Sequence, residues 1–105
     1  VLENDEMGNY AISSFKDGLK NNCDGWIDDD LSFIKPWGFD VSEAKCPVFL
    51  YHGSADLMCP YSHGQWVASH LPKQSTKHLV EGHGHLSVVF AHMDEMIDEL
   101  LSVAK

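Results

Sequence analysis

The sequence is short of positive charge. Seven lysine and arginine residues stand against 16 acidic ones, a formal net charge of −9 in 105 residues. Nucleic-acid binding draws on cations that neutralise phosphates, so this balance argues against such a partner, and against an anionic membrane surface as well. Long apolar runs are also missing. No segment approaches the roughly 18 residues that span a bilayer, and the opening residues do not read as a signal peptide. Cysteine is sparse and odd in number: Cys23, Cys46 and Cys59 form no C-x-x-C pair. Neither a disulfide framework nor a zinc ribbon is expected from that pattern, and a reducing, cytoplasmic setting is.

What is present has the make-up of a soluble globular chain, 44% hydrophobic and 22% charged. Its length allows one small domain with a modest core. The acidic residues cluster in "LENDE" at the start, "DDD" at 28 to 30 and "MDEMIDEL" near the end. Each cluster reads as a solvated face.

The C-terminal two-thirds is the more legible part. In "CPVFLYHG" four apolar residues, Val48 to Tyr51, lie between Pro47 and His52-Gly53. A short apolar run bounded by breakers predicts a strand buried on both faces, as in a parallel sheet. "SADLMCP" is a loop, and "YSHGQWVASHLP" predicts a helix opened by a Ser62–Gln65 capping box and closed by Pro72. "TKHLVEG" predicts a second short strand, and "GHGH" the loop after it. From Leu86 onward, Val89, Phe90, Met93, Met96, Ile97, Leu100 and Leu101 fall at helical spacing to the C-terminus. The order strand, helix, strand, helix predicts two parallel neighbours whose C-terminal tips carry the loops of interest. The first 40 residues, with Ala11, Phe15 and Leu19 at helical spacing, read as two or three short helices and loops rather than sheet.

Asp56 follows the first predicted strand by three residues, and His85 follows the second by about four. Both are therefore expected at adjacent strand tips. A carboxylate there can hold the imidazole in one tautomer and stabilise its protonated form, which makes the ring a general base. Histidine titrates near neutrality, so it can take and return a proton. Plainer alternatives exist: Asp56 as a turn residue and His85 as a cap on the following helix. A metal site built from His83, His85, His52 and Asp56 is a further alternative, although no second ligand cluster accompanies it. His52 reads as structural or pocket-lining, Cys59 as a small buried filler, and His63, His70, His78 and His92 as surface residues.

The segments "PWGFD", "CPVFLYHGSADLMCP" and "EGHGHLS", in that order, resemble the C-terminal half of the α/β-hydrolase superfamily. The likeness covers roughly residues 18 to 104. It implies Asp56 as the acid and His85 as the base of a Ser-His-Asp triad. It also implies a helical lid segment over residues 1–40, followed by a C-terminal βαβα part of the core over 41–105. In that frame Trp26, Trp37 and Phe39 would line a substrate pocket, the equal alternative being that they pack the lid on the core, and no metal or organic cofactor is required.

One hallmark of the family is missing. No G-x-S-x-G elbow occurs; the nearest candidate, "PYSHG" around Ser62, has Pro60 in place of the first glycine and follows the wrong strand. The oxyanion-hole loop is not found either. The first residue is Val rather than Met. The expectation is thus half of a hydrolase acting on a small-molecule ester, amide or related bond, its nucleophile lying in a missing N-terminal half or another subunit. Without that companion an exposed strand edge makes the chain prone to aggregate or partly unfold. The rival expectation is a non-catalytic module for binding or assembly.

Overall fold

A computed structural model describes residues 5–104. Val1 to Asn4, and with them the start of the acidic opening segment, lie outside the described residues. The chain forms two compact units, Val1–Gly38 and Phe39–Lys105.

The first unit holds two helices, α1 (Asp5–Leu19) and α2 (Asp24–Phe33). Asn22 starts α2 by accepting a bond from the Asp24 backbone N–H and donating its own amide to the Asp24 carboxylate at 2.8 Å. An acidic residue in a first turn also suits the positive end of the helix dipole. The apolar spacing of α1 brings Phe15 onto Trp26 of α2, with ring centroids 5.8 Å apart and nearly parallel. Gly25 and Trp26, which in sequence punctuate a polar stretch, are both inside α2.

The second unit opens with one 3-10 turn, Val41–Glu43, capped by the Asp40 carboxylate on the Ser42 N–H. It continues as β1 (Phe49–Gly53), α3 (Tyr61–His70), β2 (Thr76–Val80) and α4 (Ser87–Val103). The two strands pair in parallel, from Phe49 opposite Thr76 to Gly53 opposite Val80. This is a mixed α/β architecture, a two-stranded parallel sheet against which α3 and α4 pack. The register leaves both strands ending level, so the loops that follow them start side by side.

Two expectations need correction. The residues of β1 from Phe49 to His52 are half-buried rather than buried on both faces. A sheet of two strands with one helix after each is too small to enclose them. Val88, still 4% exposed, is the only buried apolar side chain among the described residues, and along α4 Phe90, Met93, Ile97, Leu100 and Leu101 stay 41% to 65% exposed. The Ser62–Gln65 capping box does not form either. The helix begins two residues earlier than that box needs, with Pro60 at the cap position and no side-chain cap bond. Pro60 already fixes the entry geometry there, and Ser62 falls inside the first turn.

Candidate functional site

The site is built where the two strands end. Backbone bonds stitch the loops to each other: Ser54 N–H donates to the Val80 carbonyl at 2.8 Å, and Ala55 N–H donates to the His83 carbonyl at 2.9 Å. Gly82 N–H closes the seam by donating to the Ser54 hydroxyl at 2.8 Å. Glycine is required in this seam. Gly82 has φ +76°, in the left-handed region that other residues enter at a cost. At Gly53 a Cβ would run into the His83 backbone carbonyl, so the close approach of the loops depends on the missing side chain.

Asp56 leaves this seam with its side chain 4% exposed. One oxygen, Oδ1, accepts from the backbone N–H groups of Met58 and Cys59, both at 2.9 Å. The other, Oδ2, accepts from His85 Nδ1 at 2.9 Å. The bond from the Cys59 N–H, aided by those from His85 and Met58, outweighs burial and lowers the Asp56 pKa from 3.8 to about 2. The carboxylate is therefore ionised at neutral pH and can only accept. It follows that the proton of a neutral His85 ring sits on Nδ1. Nε2 is left with its lone pair on a ring that is 46% exposed. The arrangement can take a proton at Nε2 and stabilise the resulting imidazolium through Asp56.

His83 does something else. Its Nδ1 donates to the Ser87 carbonyl at 3.3 Å, and its ring meets His92 edge-on with centroids 5.5 Å apart. The two histidines of "GHGH" thus part company: His85 turns to Asp56, and His83 turns to the start of α4. Among the described residues no group of three or more His, Cys, Asp and Glu side chains is arranged to hold a metal ion. The ring of His83 is already committed to a carbonyl.

The aromatic residues expected at a substrate pocket are distributed over both units. Trp26 stacks on Phe15 and lines an open cleft of about 410 Å³ between α1 and α2. Trp37 is the penultimate residue of the first unit and Phe39 the first of the second; both are exposed. In the turn that follows Asp56, Leu57 and Met58 face solvent, Leu57 almost completely. Sequence reasoning did not single them out.

Two further features were missed. His78, read as a surface residue, stacks on Tyr51 with centroids 4.2 Å apart, and its Nε2 donates to Glu99 Oε1 at 2.9 Å. The Tyr51 hydroxyl donates to Glu99 Oε2 at 2.8 Å, so a strand-to-helix cluster lies across β1, β2 and α4. Burial, the largest influence on Tyr51, raises its phenol pKa, and the bond to Glu99 raises it further. For Glu99 burial pushes upward, but the bonds from Tyr51 and His78 prevail and the pKa is lowered. The alternation of β2 carried this signal, because Thr76, His78 and Val80 share the half-buried face. The second missed feature is Cys59, which is half-buried with its thiol 4.0 Å from His63 Nδ1 rather than a buried filler.

The three cysteines are free thiols, and among the described residues no helix is long and apolar enough to cross a membrane. Compared with known proteins, the chain matches no protein-family model, no curated protein and no solved structure.

Proposed function

We propose that this chain carries the acid and the base of an α/β-hydrolase-type triad, with the nucleophilic serine supplied by a preceding half of the fold. The observation that carries the reading is the 2.9 Å bond from His85 Nδ1 to a buried, ionised Asp56. It fixes the ring in the tautomer whose Nε2 can accept a proton. The level ends of two parallel strands support the same reading, since ligands of α/β sheets bind beyond the carboxyl ends of the strands.

In this mechanism a serine hydroxyl attacks the carbonyl carbon of an ester or amide as His85 Nε2 takes its proton. The tetrahedral intermediate collapses, and the imidazolium returns that proton to the leaving alcohol or amine. A water then attacks the acyl-enzyme, giving its proton to Nε2. The serine oxygen departs with the proton that His85 returns, leaving a free acid. Asp56 stays ionised throughout and holds the ring in place. Neither metal nor organic cofactor enters these steps. Residues 1–40 serve as a lid, and Trp26, Trp37 and Phe39 shape the choice of small-molecule substrate.

A second reading, a binding or assembly module, draws on the exposed apolar face of α4 and the missing elbow. One experiment separates the two. The chain is joined to a half that bears a strand, G-x-S-x-G and a helix, and assayed with an activated ester and a fluorophosphonate probe. The hydrolase reading expects serine labelling, a loss of turnover of roughly 10⁴-fold or more for His85→Ala, and most activity kept by His83→Ala. Equal activity of His85→Ala and the parent would leave the assembly reading in its place.

A further inference from the structure

Asp56 faces a second imidazole. His52 Nε2 lies 4.0 Å from Asp56 Oδ2, with the His52 side chain 10% exposed. That distance is too long for a hydrogen bond, and the ring's actual partner is the Cys59 carbonyl, 3.0 Å from the same nitrogen. A carbonyl can only accept, so His52 carries its proton on Nε2. Cys59 is also the residue whose N–H donates to Asp56 Oδ1. Thus one peptide neighbourhood is gripped from two sides: its N–H by Asp56 and its carbonyl by His52. The ring's seat is equally specific. A Cβ at Gly64 of α3 would come within 2.7 Å of His52 Nδ1 and closer still to Cγ. Tyr61, at the start of α3, sits across from the ring at a centroid distance of 5.9 Å. A glycine inside a helix costs stability relative to alanine. Here it leaves the space that the ring fills.

We propose that His52 is a positioning residue for the Asp56–His85 pair. Seated against Gly64, its Nε2–H holds the Cys59 carbonyl. That fixes the turn from Asp56 to Cys59, so Oδ2 is presented to His85 while Oδ1 is retained by the turn. The inference deepens the proposed acid–base role and rests on it. His52 touches neither substrate nor reacting atoms; it acts through Asp56.

The test reads the tautomer of His85 in the full chain by nitrogen-15 NMR of the imidazoles at neutral pH. Parent, His52→Gln, His52→Asn and Gly64→Ala are compared. The glutamine amide can place an N–H close to the position of imidazole Nε2, whereas the shorter asparagine cannot. The parent and His52→Gln should show His85 predominantly protonated at Nδ1. In His52→Asn and Gly64→Ala the ring should move toward the tautomer mixture of free imidazole, and the Cys59 amide should exchange about tenfold faster. Unchanged His85 tautomer and Cys59 exchange in both His52→Asn and Gly64→Ala would overturn the proposal, as would a His52→Gln that behaves like His52→Asn. A parent chain with no preference for Nδ1–H would instead overturn the Asp56–His85 pair itself, which distinguishes the two failures.

Discussion

The second unit contains two carboxylate–imidazole pairs of the same length, 2.9 Å, with different surroundings. At the strand tips, Asp56 is held by backbone N–H groups of its own turn, and His85 projects from the glycine loop with no hydrogen-bond partner for Nε2 among the described residues. Along the sheet, Glu99 receives side chains from two strands, Tyr51 from β1 and His78 from β2, and the His78 ring lies against Tyr51. The first carboxylate is positioned by the backbone and positions a half-exposed ring. The second is gathered by side chains and fastens α4 to the sheet. A carboxylate near an imidazole is thus not in itself a proton-transfer device. What distinguishes one is the rigidity of the acid's support and the freedom of the ring's second nitrogen.

The sharpest way to break this comparison is to convert each acid to its amide in the chain joined to its nucleophile-bearing half. Asp56→Asn should lower kcat by roughly 10⁴-fold, because the amide no longer enforces the Nδ1–H tautomer. Glu99→Gln should leave kcat nearly unchanged. An equal loss in both would mean that the two pairs are not different in kind. Next in size is Gly53→Ala. It puts a methyl group into the His83 carbonyl and should destabilise the fold by about 3 kcal/mol in urea titration, as overpacking against unyielding backbone does. It should also scramble the His85 tautomer while leaving the His78–Glu99 contact formed.

Tyr51→Phe removes one hydrogen bond to Glu99 and nothing else. A loss of about 1 kcal/mol in unfolding free energy is expected, with kcat unaffected. The smallest effect is on the acid limb of stability. Asp56 has its pKa lowered in the folded chain, so its contribution is present above 3.8 and lost as pH falls toward about 2. Unfolding midpoints of Asp56→Asn should therefore decline less than those of the parent across that interval. The lowered Glu99 pKa has the same sign, so Glu99→Gln should also flatten the acid limb.

Much of the second unit was legible because short-range signals and topology agreed. The apolar run between Pro47 and Gly53 became β1, Pro72 fell just beyond α3, and helical spacing after "GHGH" became α4. Level parallel strands then brought Asp56 and His85 together although 29 positions separate them. What escaped were contacts between elements. His78 reads as a surface residue because a lone histidine carries no apolar signal, although the alternation of "TKHLV" puts it on the face shared with Val80. The seat of His52 needed Gly64 from another element, and spacing along the chain does not encode that meeting. The capping box failed for a local reason, Pro60 having set the helix start two residues too early. The burial of β1 was overestimated because a continuous apolar run shows what a strand can bury, not how much neighbouring structure is there to cover it.

At His92 the backbone of α4 leaves helical geometry, with φ −121° and ψ 15°. Glu99, which ties the helix to the sheet, lies on the C-terminal side of that break, whereas the loop bearing His85 joins on the N-terminal side. The break therefore divides α4 into a short leading segment continuous with the His85 loop and a longer segment fastened to the sheet through Glu99.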